Sequence, residues 1–271
     1  MYQIDYNSYR SAKGFNRRVR FLVIHYTAIN FQASIAALTG SSASAHYLIP
    51  DPSDKSYIEA GFNDMRIFNL VDENERAWHA GVSSWARRTN LNDTAIGIET
   101  VNLATDNNGI FTFPPYNPLQ IDAIQELAKN ILQRYPDITP TNVVGHSDIA
   151  PGRKSDPGPA FPWKKLYDAG IGAWYDDAVK QYYQAKFCKH LPAKMDIIAK
   201  LARYGYDTSA SGIESGYKHL IRAFQLHFRQ QNYDGNLDSE TAAILYALVD
   251  KYFPEKQSTI QALPAYKALK L

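Results

Sequence analysis

The sequence predicts an α/β fold: a mixed central sheet flanked by helices, followed by a small C-terminal three-helix domain. Three observations carry this. Short β-branched runs alternate with stretches of helical spacing up to about residue 170. From Asp176 onward the apolar spacing is helical throughout. Gly170 and Gly172 punctuate the change. The implied organisation is a first domain over residues 1–175, a helical domain over 190–254 and a polar tail over 255–271.

Val19 to Tyr26 reads VRFLVIHY, an apolar, β-branched run expected to be a buried strand. Phe31 to Leu38 has helical spacing. Ser44 to Ile49 (SAHYLI), Ile67 to Val71 and Ala95 to Val101 (AIGIETV) read as further strands. Pro118 to Tyr135 predicts the clearest helix of this half. Asn117 is placed to cap it, and Pro118 suits its first position. Ile121, Ile124, Leu127, Ala128, Ile131 and Leu132 then share one face. Pro136 stops it, and Asn142 to His146 (NVVGH) reads as a short strand. In the second half, Met195 to Tyr204, Tyr217 to Phe228 and Ser239 to Tyr252 predict three amphipathic helices. Asp238 caps the last, and Asp234-Gly235 marks a tight turn.

Composition excludes several classes. The 271 residues are 45% hydrophobic and 21% charged, which is ordinary globular composition. A net charge of +2 and the absence of a Lys/Arg stripe argue against a nucleic-acid partner. Cys188 is the one cysteine, so an internal disulfide and a cysteine zinc ribbon are both excluded. Any metal must be held by histidine and carboxylate. No apolar run reaches membrane-spanning length, and the opening MYQIDYNSYRSAKGFNRRVR has no signal-peptide pattern.

Two histidines stand where sheet proteins place their sites. His25 ends the VRFLVIHY strand, and His146 ends NVVGH and opens the loop SDIAPGRKSDPG. Two imidazoles and one carboxylate make a three-ligand metal site with a position left for water. Asp148 and Asp156 both lie close to His146, and spacing alone does not choose between them. Taken singly, each of these residues is more often structural than catalytic.

Four segments in order alter that balance: LVIHYTA (Leu22–Ala28), AWHAG (Ala77–Gly81), LNDTAIGIE (Leu91–Glu99) and GHSDIAPGRKSDPGPAFPW (Gly145–Trp163). Together they resemble the type 2 N-acetylmuramoyl-L-alanine amidases of the AmpD and AmiD group, above all the two-domain members from pseudomonads. The resemblance implies a zinc ion on His25, His146 and Asp156. It implies catalytic roles for Glu99 and Lys154, with residues 1–175 as the catalytic domain. Trp78, His79, Asn92 and Arg88 border the implied substrate cleft, with Arg87 beside them. His46, His190, His219 and His227 are expected to be unrelated to the metal.

The stretch Tyr204 to Leu248, with RAFQ at Arg222–Gln225, the Asp234-Gly235 turn and the helix start at Ser239, resembles the type 1 peptidoglycan-binding domain. The implied partners are the peptidoglycan sacculus and muropeptides, and a homo-oligomer is left open. Three rival readings remain: a non-catalytic peptidoglycan recognition protein, a zinc peptidase and an envelope scaffold. The peptidase is disfavoured by the lack of an H-E-x-x-H helix. Without a signal peptide but with a wall-binding module, the expected location is periplasmic, or secreted by a non-classical route, with wall degradation as a secreted antibacterial effector as the expected use. A cytoplasmic muropeptide-recycling amidase is the alternative.

Overall fold

The computed structural model describes residues 2–107 and 110–254. The expected tail over 255–271 lies outside them. In chain order the strands are β1 (Phe21–Tyr26), β2 (Tyr47–Ile49), β3 (Phe68–Asn69), β4 (Ser84–Trp85), β5 (Arg88–Thr89), β6 (Ala95–Thr100), β7 (Thr105–Asn107), β8 (Ile110–Thr112) and β9 (Val143–Gly145). The central sheet has the order β3-β2-β6-β1-β9, while β4–β5 and β7–β8 form separate hairpins. Only β3 runs antiparallel within the central sheet. The predicted strand over Ile67–Val71 is thus a two-residue edge strand.

β1 sits inside the sheet, and Phe21 to Ile24 are almost wholly buried. A parallel strand covered on both faces needs this continuous apolar run. Parallel order also aligns strand ends: β1, β6 and β9 all finish on the same edge of the sheet. That edge is where open α/β sheets place their sites.

The helices of the first half are α1 (Phe31–Leu38), α2 (Lys55–Glu59), α3 (Pro118–Arg134), α4 (His146–Ile149) and α5 (Trp163–Asp168). α3 begins as predicted. Asn117 Oδ1 accepts the Leu119 N–H, and Gln120 Oε1 accepts the Asn117 N–H. Gln120 Nε2 also donates to the Val101 carbonyl just past β6, tying the helix to the sheet. Ile121, Ile124, Leu127, Ala128 and Ile131 form its buried face.

The second half contains α6 (Asp177–Phe187), α7 (Lys194–Tyr204), α8 (Glu214–Phe228) and α9 (Ser239–Tyr252). α6 adds a fourth helix before the expected 190–254 range. Its Tyr183 and Phe187 rings lie 5.2 and 4.8 Å from Tyr246 of α9. Only Phe187 of α6 is fully buried, so its sequence carries a weak apolar stripe. One continuous hydrophobic core joins the two halves. Trp85 meets Tyr206 at 4.7 Å, Trp163 stacks on His227 at 3.8 Å, and Trp174 meets Phe228 at 5.8 Å. Aromatic contacts of this kind contribute about 0.5–1.5 kcal/mol each beyond their burial.

Candidate metal centre

The sheet edge assembles the site. His25 and Glu99 are partners in the β1–β6 register, so they leave neighbouring strands on one face. His146 follows β9 as the first residue of α4. Asp156 is delivered by the loop that follows. Its carbonyl accepts the Ser147 N–H at 2.9 Å. Gly145 permits that approach: a Cβ there would stand 2.7 Å from Pro157 Cδ.

The result is a compact triangle. His25 Nδ1, His146 Nδ1 and Asp156 Oδ2 lie 3.0 Å from one another on every side. All three residues are buried, and their donor atoms form the metal-binding group found among the described residues. An ion bonded to each at about 2.0–2.2 Å fits above a triangle of this size.

The outer nitrogens decide which lone pairs are free. His146 Nε2 lies 3.0 Å from the Ala80 carbonyl, which can only accept. A ring proton on Nε2 satisfies that carbonyl and leaves Nδ1 its lone pair, with the Arg153 guanidinium also 3.3 Å from Nε2. His25 Nε2 lies 2.9 Å from His79 Nδ1, an arrangement that satisfies a proton on His25 Nε2 in the same way. Burial and the neighbouring His146 lower His25 to about 4, against the pull of Asp156. Burial opposes the charge on Asp156, yet the two imidazoles hold its carboxyl well below the usual carboxylate range. A neutral imidazole and an ionised carboxylate are the forms that bind a cation.

Glu99 and Lys154 line the cleft above this triangle, a space of about 370 Å³ that also includes Trp78, His79 and Arg153. Burial and the charge of Asp156 push Glu99 up to about 8, with Lys154 opposing. Its Oε2 is buried and has no hydrogen-bond partner among the described residues. A carboxyl held this way is suited to exchanging a proton with whatever enters the cleft.

Asp148, the other carboxylate near His146, is turned away. Its Oδ2 accepts the Gly145 N–H and faces His227 Nδ1, both at 2.7 Å. Its Oδ1 accepts the Tyr206 hydroxyl at 2.5 Å. These partners engage both of its oxygens, and it is fully buried.

The remaining expected residues divide. Trp78 is half-exposed on the cleft wall, and His79 lines the cleft while supporting His25. Asn92 and Arg88 are not among the residues that line this cleft. Asn92 is buried, with Oδ1 accepting the N–H groups of His79 and Ala80 at 3.1 and 2.7 Å. Arg88 is exposed on the β4–β5 hairpin, outside the cleft lining. Chain neighbourhood drew both into the expectation, but the 3-10 turn at Leu91–Asp93 buries one and the hairpin carries the other outward. His46 is structural: its Nδ1 accepts the Gly97 N–H at 3.0 Å.

Arg153 is a site residue that the sequence reading missed. Its guanidinium donates to the carbonyls of Ala80 and Val82, at 2.9 and 2.6 Å, and clips AWHAG to the His146 loop. Its position beside Lys154 was the available signal.

The fold and site define a mixed α/β protein with a buried two-histidine, one-aspartate metal-binding cluster at the mouth of a cleft. The chain belongs to the N-acetylmuramoyl-L-alanine amidase family (Amidase_2), whose pattern matches residues 15–159. AmiD of Escherichia coli K12 is 45% identical over 254 residues, covering 93% of this chain and 89% of AmiD. The crystal structure of AmpDH3 from Pseudomonas aeruginosa in complex with anhydromuramic pentapeptide superposes with a TM-score of 0.91 at 63% identity, covering 93% of this chain and 99% of that one. E. coli AmiD in complex with the substrate anhydro-N-acetylmuramic acid-L-Ala-D-gamma-Glu-L-Lys gives 0.82 at 45% identity, covering 93% and 95%.

Proposed function

We propose that this protein is a zinc amidase that cleaves the amide between the lactyl group of N-acetylmuramic acid and L-alanine in peptidoglycan. The observation that carries the reading is the convergence in one cleft of three metal donors with the buried, unpartnered carboxyl oxygen of Glu99. Relatives crystallised with anhydromuropeptides support the substrate class.

His25, His146 and Asp156 hold the ion in this reading. Zinc there supplies Lewis acidity to the scissile carbonyl and lowers the pKa of water. Glu99 accepts the proton of the attacking water and delivers it to the departing amine, which is a poor leaving group unless protonated. Lys154 places positive charge beside the oxygen that becomes negative. Trp78 offers an apolar wall for the sugar or stem. The rival reading, recognition without cleavage, leaves the Glu99 carboxyl with no task.

The helical half contributes to polymer binding. A groove of about 610 Å³ runs past Phe111 along α8, lined by Lys218, Arg222 and Tyr233, with Asp234 as its one carboxylate. Arg222 lies over the Phe111 ring at 3.9 Å, and Phe111 also belongs to the cleft wall. A basic, aromatic track leading from the cleft suits a glycan carrying carboxylated stems. A polymeric substrate places the action in the periplasm or outside the cell, with cytoplasmic muropeptide recycling as the alternative.

The test is incubation of zinc-loaded protein with purified sacculi and with defined anhydromuropeptides, followed by mass analysis. Release of stem peptides beginning at L-alanine is expected. Retention of sacculi without cleavage would establish the recognition reading instead. Replacing Lys218 and Tyr233 by alanine should weaken sacculus co-sedimentation more than hydrolysis of soluble muropeptides, because tethering acts only on the polymer.

A further inference from the structure

We propose that Asn92 is a positioning residue that sets both histidine ligands of the metal centre at once, through the backbone of the Ala77–Gly81 segment. The inference rests on the metal-site reading above. Asn92 Oδ1 accepts two consecutive N–H groups, from His79 at 3.1 Å and from Ala80 at 2.7 Å. Two backbone donors facing one atom require an acceptor, which fixes the orientation of the amide.

Each of those residues holds one ligand. The His79 ring presents Nδ1 to His25 Nε2 at 2.9 Å. The Ala80 carbonyl meets His146 Nε2 at 3.0 Å. Asn92 is thus two hydrogen bonds from each imidazole that faces the ion, and it joins them through adjacent residues. Its own place is secured in turn. Ser83 Oγ accepts the Leu91 N–H at 3.0 Å, and the Ser83 carbonyl accepts the Asn90 N–H at 3.0 Å.

The His79 ring cannot drift into an alternative pose at low cost. A Cβ on Gly97 would lie 2.5 Å from His79 Cγ, so the ring rests directly on the backbone of β6. His46 stands edge-on to it at 5.6 Å. With the ring packed on one side and its backbone held by Asn92, Nδ1 remains aimed at His25. Such outer partners orient ligating histidines and fix their tautomers, and losing them weakens metal binding by about 10–100-fold.

The experiment measures zinc affinity by competition with a chromophoric chelator, and the visible spectrum of the cobalt-substituted protein, for the full chain. The stability of the metal-free form is followed in parallel. Wild type must bind one zinc; failure there sinks the metal-site reading itself and not the role of Asn92. Asn92→Leu, close in volume but without an acceptor, should bind zinc about 10–100-fold more weakly and shift the cobalt spectrum. Asn92→Asp keeps the acceptor and should recover most of the affinity. If leucine prevents folding, Asn92→Ser, too short to reach both amides, should show a smaller loss in the same direction. Wild-type affinity and an unchanged cobalt spectrum in Asn92→Leu or Asn92→Ser, whatever happens to metal-free stability, would overturn the proposal.

Discussion

Two histidine–aspartate clusters lie close to each other in this molecule, and they have opposite purposes. At the cleft, His25, His146 and Asp156 turn three donor atoms toward one point. At the seam with the helical half, Asp148 meets His227 of α8 and Tyr206 just after α7. The His227 ring is sandwiched between Trp163 at 3.8 Å and Phe228 at 3.9 Å. Both carboxylates are buried, and they lie within ten residues of His146, Asp148 in α4 and Asp156 in the loop after it. The difference is convergence. Each Asp148 oxygen is engaged by donors held in the packing, and Asp148 is not part of the group whose donor atoms converge on one point. Asp156 faces two imidazoles whose protons are directed elsewhere. A buried acidic residue beside a histidine is a metal ligand only when the donors around it converge and stay unprotonated.

The largest expected effect separates the two clusters directly. Asp156→Ala should lose bound metal and hydrolysis to background while the far-ultraviolet circular dichroism stays native. Asp148→Ala should instead damage the fold, because it leaves Tyr206 and His227 without their shared acceptor. Metal content and thermal unfolding of the two variants check this. Zinc retained by the Asp156 variant would remove it from the ligand set.

Next in size are the groups that handle protons and charge. Glu99→Gln should lower kcat about 10²–10⁴-fold with zinc content unchanged. Lys154→Ala should lower it about 10²–10³-fold. Steady-state kinetics on a soluble muropeptide with metal analysis tests both, and wild-type turnover in either one refutes that residue's role.

At the seam, His227→Phe preserves an aromatic ring between Trp163 and Phe228 but removes the group facing Asp148. A loss of about 1–3 kcal/mol is expected, since a buried carboxylate loses a partner. Denaturant unfolding measures it. The same variant, once folded, should keep its zinc. Zinc loss without loss of stability would show that the seam and the cleft are one device.

A further effect, confined to the metal-free protein, is a pH dependence. Burial and Asp156 raise Glu99 to about 8 from an ordinary value of 4.5. Between those values folded Glu99 keeps a proton that unfolded Glu99 releases, so its contribution to stability falls as pH rises. Glu99→Gln removes this dependence. Metal-free wild type and variant should be equally stable below about pH 4.5, and the variant should gain steadily up to about pH 8, beyond which the gap is constant. A gap independent of pH would mean that Glu99 does not titrate in this window.

Much of this was legible from local pattern. The β1 run, the Asn117 cap and the buried face of α3 follow from rules that span a few residues, and the structure has them at the predicted positions. α6 escaped because its helix is exposed on most faces and gains its place by packing Phe187 and Tyr183 on α9. The boundary expected near residue 190 marks a change of chain pattern and not a break in the core. Trp85, Trp163 and Trp174 bury against the helical half, so the core continues where chain pattern changes.

The sequence by itself determined which residue types were available: histidines at two strand ends, carboxylates in the following loop, a single cysteine that excludes thiolate sites. It also determined that β1 and β6 would be buried strands, through their apolar, β-branched runs. Spacing left Asp148 and Asp156 open and the family resemblance named Asp156; only the tertiary structure shows which lone pairs converge, and that Asn92 supports both histidines from behind. The reason is geometric. Capping and amphipathicity depend on neighbours a few positions away, whereas a metal site depends on lone pairs from β1, α4 and a loop arriving at one point. Hydrogen bonds reaching across the fold, from Asn92 to the Ala77–Gly81 segment and from His227 to Asp148, set which atoms arrive there free.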